Sequence, residues 1–181
     1  FLMDNSNVSW NASDGLDLLY EAFDTVKIDK SRFEGNIGNQ VKVLTTNLDF
    51  TNSVSIANCE YHDITNKIHN TGSFQTCRAN GSFVVVPMAG GVYRFYNSTI
   101  VSATHTGGSA AIEGADTNST ANGTETYLAS NNIYYSPNAT WTLYYNGVPA
   151  GGAATDWNAF STDHSIIYNF QSNPCPSGTG N

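Results

Sequence analysis

The clearest chemistry in this chain belongs to asparagines that could carry sugars. Seven Asn-x-Ser/Thr sequences, the acceptor motif for N-linked glycans, occur in 181 residues. An Asn-rich composition produces some of them by chance, but charged residues make up only 12% of the chain. Together these features predict an extracellular or cell-surface glycoprotein. The predicted acceptors are Asn7, Asn11, Asn80, Asn97, Asn118, Asn122 and Asn138.

Three cysteines allow one disulfide bond and one remaining thiol. Cys59 and Cys77 are the candidate pair, because a bond between them would close a short polar loop. Cys175 lies in NPCPSGTGN, whose Pro, Gly and Ser content predicts a tail over 171–181 outside the core. Three alternatives stay open for Cys175: a free thiol, a bond to one of the other two cysteines, or a bond to another chain.

A cluster of aromatic residues in IYYSPNATWTLYYNGV could contact sugars. Alternation along strands leaves some of these rings outside, where Tyr and Trp can stack on sugar faces or form protein contacts. Packing in the core is the alternative interpretation, above all for Trp141. The predicted glycan contacts are Tyr134, Tyr135, Tyr144 and Tyr145.

Metal binding and nucleophilic catalysis are not indicated by the remaining polar residues. The four histidines have no metal-ligand spacing. Four aspartates lie close together near the N-terminus, but they match no calcium-binding loop; they are Asp14, Asp17, Asp24 and Asp29. The sequence therefore predicts no cofactor, with Ca²⁺ at these aspartates as the alternative.

Charge and hydropathy argue against nucleic acid and membranes as partners. The net charge is −8, and the 7 basic residues are scattered, so no basic surface forms for a phosphate backbone or anionic lipid. No apolar run is long enough for insertion into a membrane. Glycans or neighbouring copies of the chain are the predicted partners.

A phrase that recurs along the chain indicates how these residues are positioned. VKIDKSRF (26–33), VSIANCEY (54–61), YRFYNSTI (93–100) and TYLASNNI (126–133) share β-favouring or apolar residues at their first, third and eighth positions. This spacing predicts two short strands with inward residues, joined by a bend. The predicted bends are Lys30-Ser31, Asn58-Cys59, Asn97-Ser98 and Ser130-Asn131.

A second β-type run follows each phrase, after loops of unequal length, at QVKV (40–43), FVVV (83–86), AAI (110–112) and WTLYY (141–145). A solenoid accounts for both features, since stacked coils repeat their inward residues while the loops between them can vary. We expect an all-β, right-handed parallel β-helix over 1–170, alone or as the end of a longer solenoid. An antiparallel β-sandwich is the alternative.

Two details make this prediction specific. Ile28, Ile56, Phe95 and Leu128 are expected to form one continuous column inside the stack. A short helix that begins within 156–167, with Thr155 or Asp156 as its N-cap, is expected to cover the end of the stack, where an open strand edge would otherwise be exposed.

Three stretches, FEGNIGNQVKV, SFVVVPMAGGVYRFYNSTI and the region from 129 to 167, resemble secreted right-handed β-helix proteins of the pectate-lyase-like superfamily. The resemblance covers most of the chain and implies a carbohydrate-related setting. Lyases of that superfamily use Lys or Arg as the base beside a uronate carboxylate. By this resemblance Lys42 and Arg94 are the candidate catalytic pair, and the alternative is that both are solvated strand residues.

The predicted function is that of a secreted, N-glycosylated β-helix module with a structural or adhesive role and the capacity to bind carbohydrate. A polysaccharide lyase acting on a uronic-acid polymer is the first alternative, and a viral spike-type glycan-binding module is the second. Pectin hydrolases of the same architecture are disfavoured, because they need an Asp-Asp pair and a Gly-His-Gly phrase that do not occur.

Overall fold

The computed structural model describes residues 1–11, 13–36, 38–57, 81–102, 110–115, 126–135, 142–147 and 159–168. All regular structure in these ranges is β-strand. The strands are β1 (Leu2–Asp4), β2 (Asn7–Ser9), β3 (Leu16–Asp29), β4 (Arg32–Glu34), β5 (Val41–Thr51), β6 (Val54–Ala57), β7 (Gly81–Tyr96), β8 (Thr99–Ser102), β9 (Ala110–Ala115), β10 (Thr126–Ser130), β11 (Ile133–Tyr135), β12 (Thr142–Gly147), β13 (Ala159–Asp163) and β14 (Ile166–Tyr168).

These strands form two parallel sheets around one core. The eight-stranded sheet has the order β1-β3-β5-β7-β10-β13, with β9 on the first half of β7 and β12 beyond β9. The six-stranded sheet has the order β14-β11-β8-β6-β4-β2. Every strand pair in the described ranges is parallel, so the antiparallel sandwich is not found there. This all-β stack of parallel strands is compatible with a β-helix-like solenoid, although its sheets do not close on each other.

The chain crosses between the sheets at two kinds of corner. We define a layer as a strand of the eight-stranded sheet, the two residues after it and the following strand of the six-stranded sheet. Six layers occur within the described ranges, and we call the two-residue turn within each the constant corner. Its members are Asn5-Ser6, Lys30-Ser31, Asn52-Ser53, Asn97-Ser98, Asn131-Asn132 and His164-Ser165. We call the connections that return from the six-stranded sheet the variable corner. They are 10–15 and 35–40 in the first two layers, and later 58–80, 103–109 and 136–141, which lie outside the described residues.

Inward side chains of successive layers stack in columns. Register places Ile28 beside Phe50, Phe50 beside Phe95, and Phe95 beside Ala129, and all four are buried. The rings of Phe50 and Phe95 are 5.7 Å apart between centroids. Full burial of a large apolar side chain contributes roughly 1.5–3 kcal/mol, so these columns are the main source of the stability of the stack.

The predicted column is half right. Ile28 and Phe95 occupy it, whereas Ile56 lies on β6, in the other sheet, and faces outward. Phe50 takes the place expected for Ile56, because the third corner is Asn52-Ser53. The sequence misled here because Ser55, a polar residue, is the inward residue after that corner. The bend predicted at Asn58-Cys59 lies outside the described residues.

The fourth phrase is displaced by one residue. Leu128 pairs with the outward Arg94, and Ala129 enters the column instead. A shift of one residue reverses which side chains face the core. Both registers fit the sequence, because Tyr127 and Leu128 are adjacent and apolar while residues 130–132 are all small and polar.

The helix expected within 156–167 is wrong for the described part of that segment. Residues 159–163 form β13, which pairs with β10, and residues 166–168 form β14, which pairs with β11. His164 and Ser165 form the sixth constant corner between them. The segment therefore adds another layer, which satisfies the hydrogen-bonding groups along the edge of layer five. The predicted tail over 171–181 lies outside the described residues.

Candidate functional site

The first residue of each constant corner has a left-handed backbone conformation. Its φ angle lies between 47° and 55° in all six layers. Asn tolerates this region better than most residues, and four of the six positions are Asn. The conformation lets the backbone N–H of Asn52 donate to the carbonyl of Tyr96 in the next layer, at 3.0 Å.

From the second layer onwards, the second residue of each constant corner links its layer to the layer before it. Ser53 is buried, and its hydroxyl accepts from the Ser31 N–H at 3.0 Å and donates to the Thr51 carbonyl at 2.6 Å. The Ser53 N–H in turn donates to the Ser98 hydroxyl at 3.2 Å. The same link joins every adjacent pair of the six layers, with the Asn132 carboxamide replacing a hydroxyl once. We call this series the corner ladder.

A second series of side-chain bonds runs along the solvent side of the same corner. The Asn52 amide donates to Asp29 at 2.7 Å, the Asn97 amide to Asn52 at 3.2 Å, and the Asn131 amide to Asn97 at 3.3 Å. The bond from Asn52, followed by those from Thr51 and Lys30, lowers the pKa of Asp29 from 3.8 to about 2. From the second layer to the fifth, the constant corner is thus bonded on both its buried and its exposed side.

Side-chain hydrogen bonds also join the described residues of the variable corner at 10–15 and 35–40. The side-chain Oδ1 of Asn36 accepts from the backbone N–H and the side-chain amide of Asn11, at 3.0 and 2.8 Å. The Asn36 amide donates to Gln40 at 2.7 Å. Gly35 has a φ of 66°, and a Cβ there would lie 2.0 Å from the Trp10 ring, so only glycine fits beneath that ring.

The structure places Lys42 between two carboxylates, those of Asp14 in the variable corner at 10–15 and of Asp17 on β3 in the second layer. Its ammonium lies 3.1 Å from Asp14 and 3.3 Å from Asp17. Burial by itself lowers the pKa of Lys42, but the hydrogen bonds and charges of the two aspartates outweigh it and raise the pKa above its ordinary value. Lys42 therefore stays protonated, whereas a catalytic base must be able to accept a proton.

Arg94 belongs to a different part of the same outer face. It contacts Asp49 at 3.0 Å, and Lys27 lies 3.8 Å from the same aspartate. Asp49 is the register partner of Arg94 and lies on the same strand as Lys42, seven residues later. At about 3.3 Å per residue that separation is roughly 20 Å, so the candidate pair does not form one site.

The outer face of the six-stranded sheet changes character along the stack. Arg32 and Glu34 form an ion pair on β4. The later strands present an apolar face, whose most exposed members are Ile133 at 44%, Tyr135 at 39%, Ile166 at 62% and Tyr168 at 62%. The half-buried members of this apolar face are Val54, Ile56 and Val101.

Of the predicted glycan contacts, Tyr134 is wrong. It is fully buried, and its hydroxyl bonds to Tyr127 and Asn132 at 3.2 Å each; burial raises its pKa despite those two bonds. Tyr135 is exposed and stacks on Tyr168, with ring centroids 5.8 Å apart and an interplanar angle of 13°.

The other predicted sugar and cysteine sites are only partly covered. Tyr144 and Tyr145 lie in β12, but their side chains are outside the described part, as is Trp141. Three sequon asparagines are described and exposed: Asn7, Asn11 and Asn97. The predictions that fall outside the described residues are Asn80, Asn118, Asn122, Asn138, Cys59, Cys77 and Cys175.

Within the described residues, no group of three or more His, Cys, Asp or Glu side chains could hold a metal ion. The same residues contain no helix with the length and hydropathy of a membrane span.

No protein-family model, curated protein or solved structure matches this chain. The resemblance to the pectate-lyase-like superfamily is therefore not supported by a family match. Any function has to be inferred from the side chains that the surfaces present.

Sequence reasoning missed Ile133, Ile166 and Tyr168 as surface residues. A usable signal was present: within each layer, the first and third residues after the constant corner face outward, as they do in 133–135 and 166–168. Correct placement of the corners would have identified the whole apolar face.

Proposed function

We propose that this chain is a right-handed parallel β-helix of the pectate-lyase-like type, with a structural or adhesive role outside the cell. The observation that carries the proposal is the corner ladder, which bonds all six layers without interruption. A fold built from repeated, bonded layers is a stiff support that can hold loops and surfaces at fixed spacing.

The contact surface in this proposal is the apolar face. Its exposed members, Ile133, Tyr135, Ile166 and Tyr168, lie on adjacent strands in a chain of net charge −8. Clustered apolar side chains on a surface commonly mark interaction sites. Neighbouring copies of the chain or glycans are the proposed partners, and both classes use exposed tyrosines for contact.

Extracellular location and glycosylation belong to the same proposal. The three described sequon asparagines are all exposed, which a glycan acceptor requires, and charged residues are few. The lyase alternative has less support, because Lys42 is held as an ammonium between two aspartates and Arg94 is far from it along the strand.

Adhesion can be tested with the protein immobilised on beads and presented with a glycan panel and with soluble copies of itself. We expect wild-type binding to at least one of these, and at least a tenfold loss in the double variant Ile133→Ser, Ile166→Ser. Lys27→Ser, on the opposite outer face, is the matched control and should bind as the wild type does.

The lyase alternative needs a separate assay on the same preparation. Uronate polymers are incubated with the wild type, Lys42→Ala and Arg94→Ala, and unsaturated product is followed by ultraviolet absorbance. Product formation that disappears in Lys42→Ala would establish the lyase and overturn a purely structural role. Inertness of all three proteins, together with binding through the apolar face, would support the adhesive module.

A further inference from the structure

The three described sequons differ in what their side-chain nitrogen already does. An N-linked glycan is transferred from a polyprenyl diphosphate donor: a bond forms between Asn Nδ2 and the sugar C1, the bond between C1 and the diphosphate oxygen breaks, and Nδ2 loses a proton. The acceptor must therefore have an Nδ2 with space for a sugar. The described acceptors can be compared on this basis, under the extracellular location proposed above.

The side-chain amide of Asn97 is already hydrogen-bonded within the constant corner. Its Nδ2 donates to Asn52 and its Oδ1 accepts from Asn131, at 3.2 and 3.3 Å. Layers in a sheet are about 4.8 Å apart, which is less than the width of a sugar ring plus its hydroxyl groups. A sugar on Nδ2 would therefore displace the Asn52 side chain.

The side-chain amide of Asn11 is likewise already hydrogen-bonded, in the variable corner. Its Nδ2 and its backbone N–H both donate to the buried Asn36 side chain. A sugar on this nitrogen would lie against the turn that holds Asn36.

Asn7 is different, although it lies only four residues before Asn11. It is exposed on β2, and its Oδ1 accepts from the hydroxyl of Ser9, the third residue of its own sequon. Within the described residues its Nδ2 makes no hydrogen bond. The outward face of β2 leaves that nitrogen in solvent.

We propose that Asn7 is the glycan acceptor of the described part of the chain and that Asn11 and Asn97 remain unmodified in the folded protein. The Nδ2 of Asn7 can take a sugar without displacing a neighbour, whereas the Nδ2 atoms of Asn11 and Asn97 already bond to side chains of an adjacent layer.

The test uses the full chain, secreted from a glycosylating eukaryotic host and purified as folded monomer. Enzymatic deglycosylation in H₂¹⁸O converts each occupied Asn to labelled Asp, and peptide mass spectrometry then gives the occupancy of every sequon. We expect Asn7 to be at least fivefold more occupied than Asn11 or Asn97.

Two variants, each lacking one sequon, show which asparagine carries the glycan. Asn7→Gln should lose one glycan mass. Thr99→Val removes the sequon at Asn97 but keeps the Asn97 side-chain amide and its hydrogen bonds, and it should leave the mass of the attached glycans unchanged.

The outcomes distinguish this inference from the proposed function. High occupancy of Asn97 in folded monomer, or an empty Asn7 with other sequons occupied, would overturn the inference alone. Secreted protein with no occupied sequon would overturn the glycoprotein part of the proposed function as well, whereas the bead assay tests adhesion independently of glycans.

Discussion

The constant corner and the variable corner connect the same two sheets, but only the constant corner keeps its length. The constant corner has two residues in every layer, with a left-handed residue followed by Ser or Asn. The variable corner has six residues at 10–15 and at 35–40, but it extends over 58–80 in the third layer. The difference follows from the corner ladder, because each link requires a side chain from one layer to reach the backbone of the next.

The largest effect expected from this comparison comes from changing corner length. One alanine inserted between Asn52 and Ser53 should remove the Ser53 links to two layers and reverse the facing of β6. We expect a loss of at least about 3 kcal/mol in the free energy of unfolding, or failure to fold. One alanine inserted between Asn70 and Thr71, in the variable corner, should cost less than about 0.6 kcal/mol.

Urea unfolding followed by circular dichroism measures both insertions under the same conditions. Equal losses in the free energy of unfolding would show that the two corners tolerate an inserted residue equally well. Tolerance at the constant corner with damage at the variable corner would reverse the comparison.

The same contrast explains how much of the fold was readable from the sequence. The parallel, stacked, all-β arrangement was predicted, since repeated short strands with unequal loops require it. The corners at Lys30-Ser31 and Asn97-Ser98 were placed correctly because apolar residues flank them in strict alternation. At Asn52-Ser53 the alternation is hidden, because a serine faces the core in the following strand.

The candidate site was less predictable than the fold. Whether a tyrosine lies inside or outside depends on a register that can shift by one residue, which is how buried Tyr134 was assigned to the surface. The position of Lys42 between Asp14 and Asp17 depends on pairing between layers, which no local pattern contains. Which side chains of different layers are neighbours can be determined only when the positions of the corners are known.

A smaller effect is expected when the side-chain hydrogen bonds of a single corner-ladder residue are removed. Ser53→Ala removes the acceptor for the buried Ser31 N–H and the donor to the Thr51 carbonyl. An unsatisfied buried group costs about 1–3 kcal/mol, and we expect a loss in that range in the free energy of unfolding. Ser9→Ala is the matched control on the exposed face of β2 and should cost less than about 0.5 kcal/mol. If Ser53→Ala and Ser9→Ala lose equal free energy of unfolding, then the hydrogen bonds of Ser53 do not stabilise the stack of layers.

A stabilising substitution should be available at the second constant corner. Lys30 has a φ of 47°, a conformation that Asn adopts at lower cost, and its ammonium forms only an exposed contact with Asp29. Lys30→Asn should raise the free energy of unfolding by about 0.5 kcal/mol. Lys27→Asn, on an adjacent extended strand, is the control and should give no increase. A decrease for Lys30→Asn would show that the ion pair matters more than the backbone conformation.

The smallest expected effect is a pH dependence at the exposed side of the constant corner. The bonds from Asn52 and Thr51 lower the pKa of Asp29 from 3.8 to about 2 in the folded chain. Between these values the unfolded chain binds a proton that the folded chain does not, so stability increases with pH there. The contribution of Asp29 is fully present above pH 3.8 and is lost as the pH falls through about 2.

Urea midpoints measured from pH 2 to pH 4.5 should therefore rise less steeply for Asp29→Asn than for the wild type. The variant keeps a side-chain oxygen that can accept from Asn52 but has no carboxyl group to titrate. Asp24→Asn, which changes an exposed carboxylate on the same strand, should retain the wild-type slope. If Asp29→Asn and the wild type rise in parallel, then the bonds along the solvent side do not distinguish the folded chain from the unfolded one. The constant corner would in that case be held by its buried ladder alone.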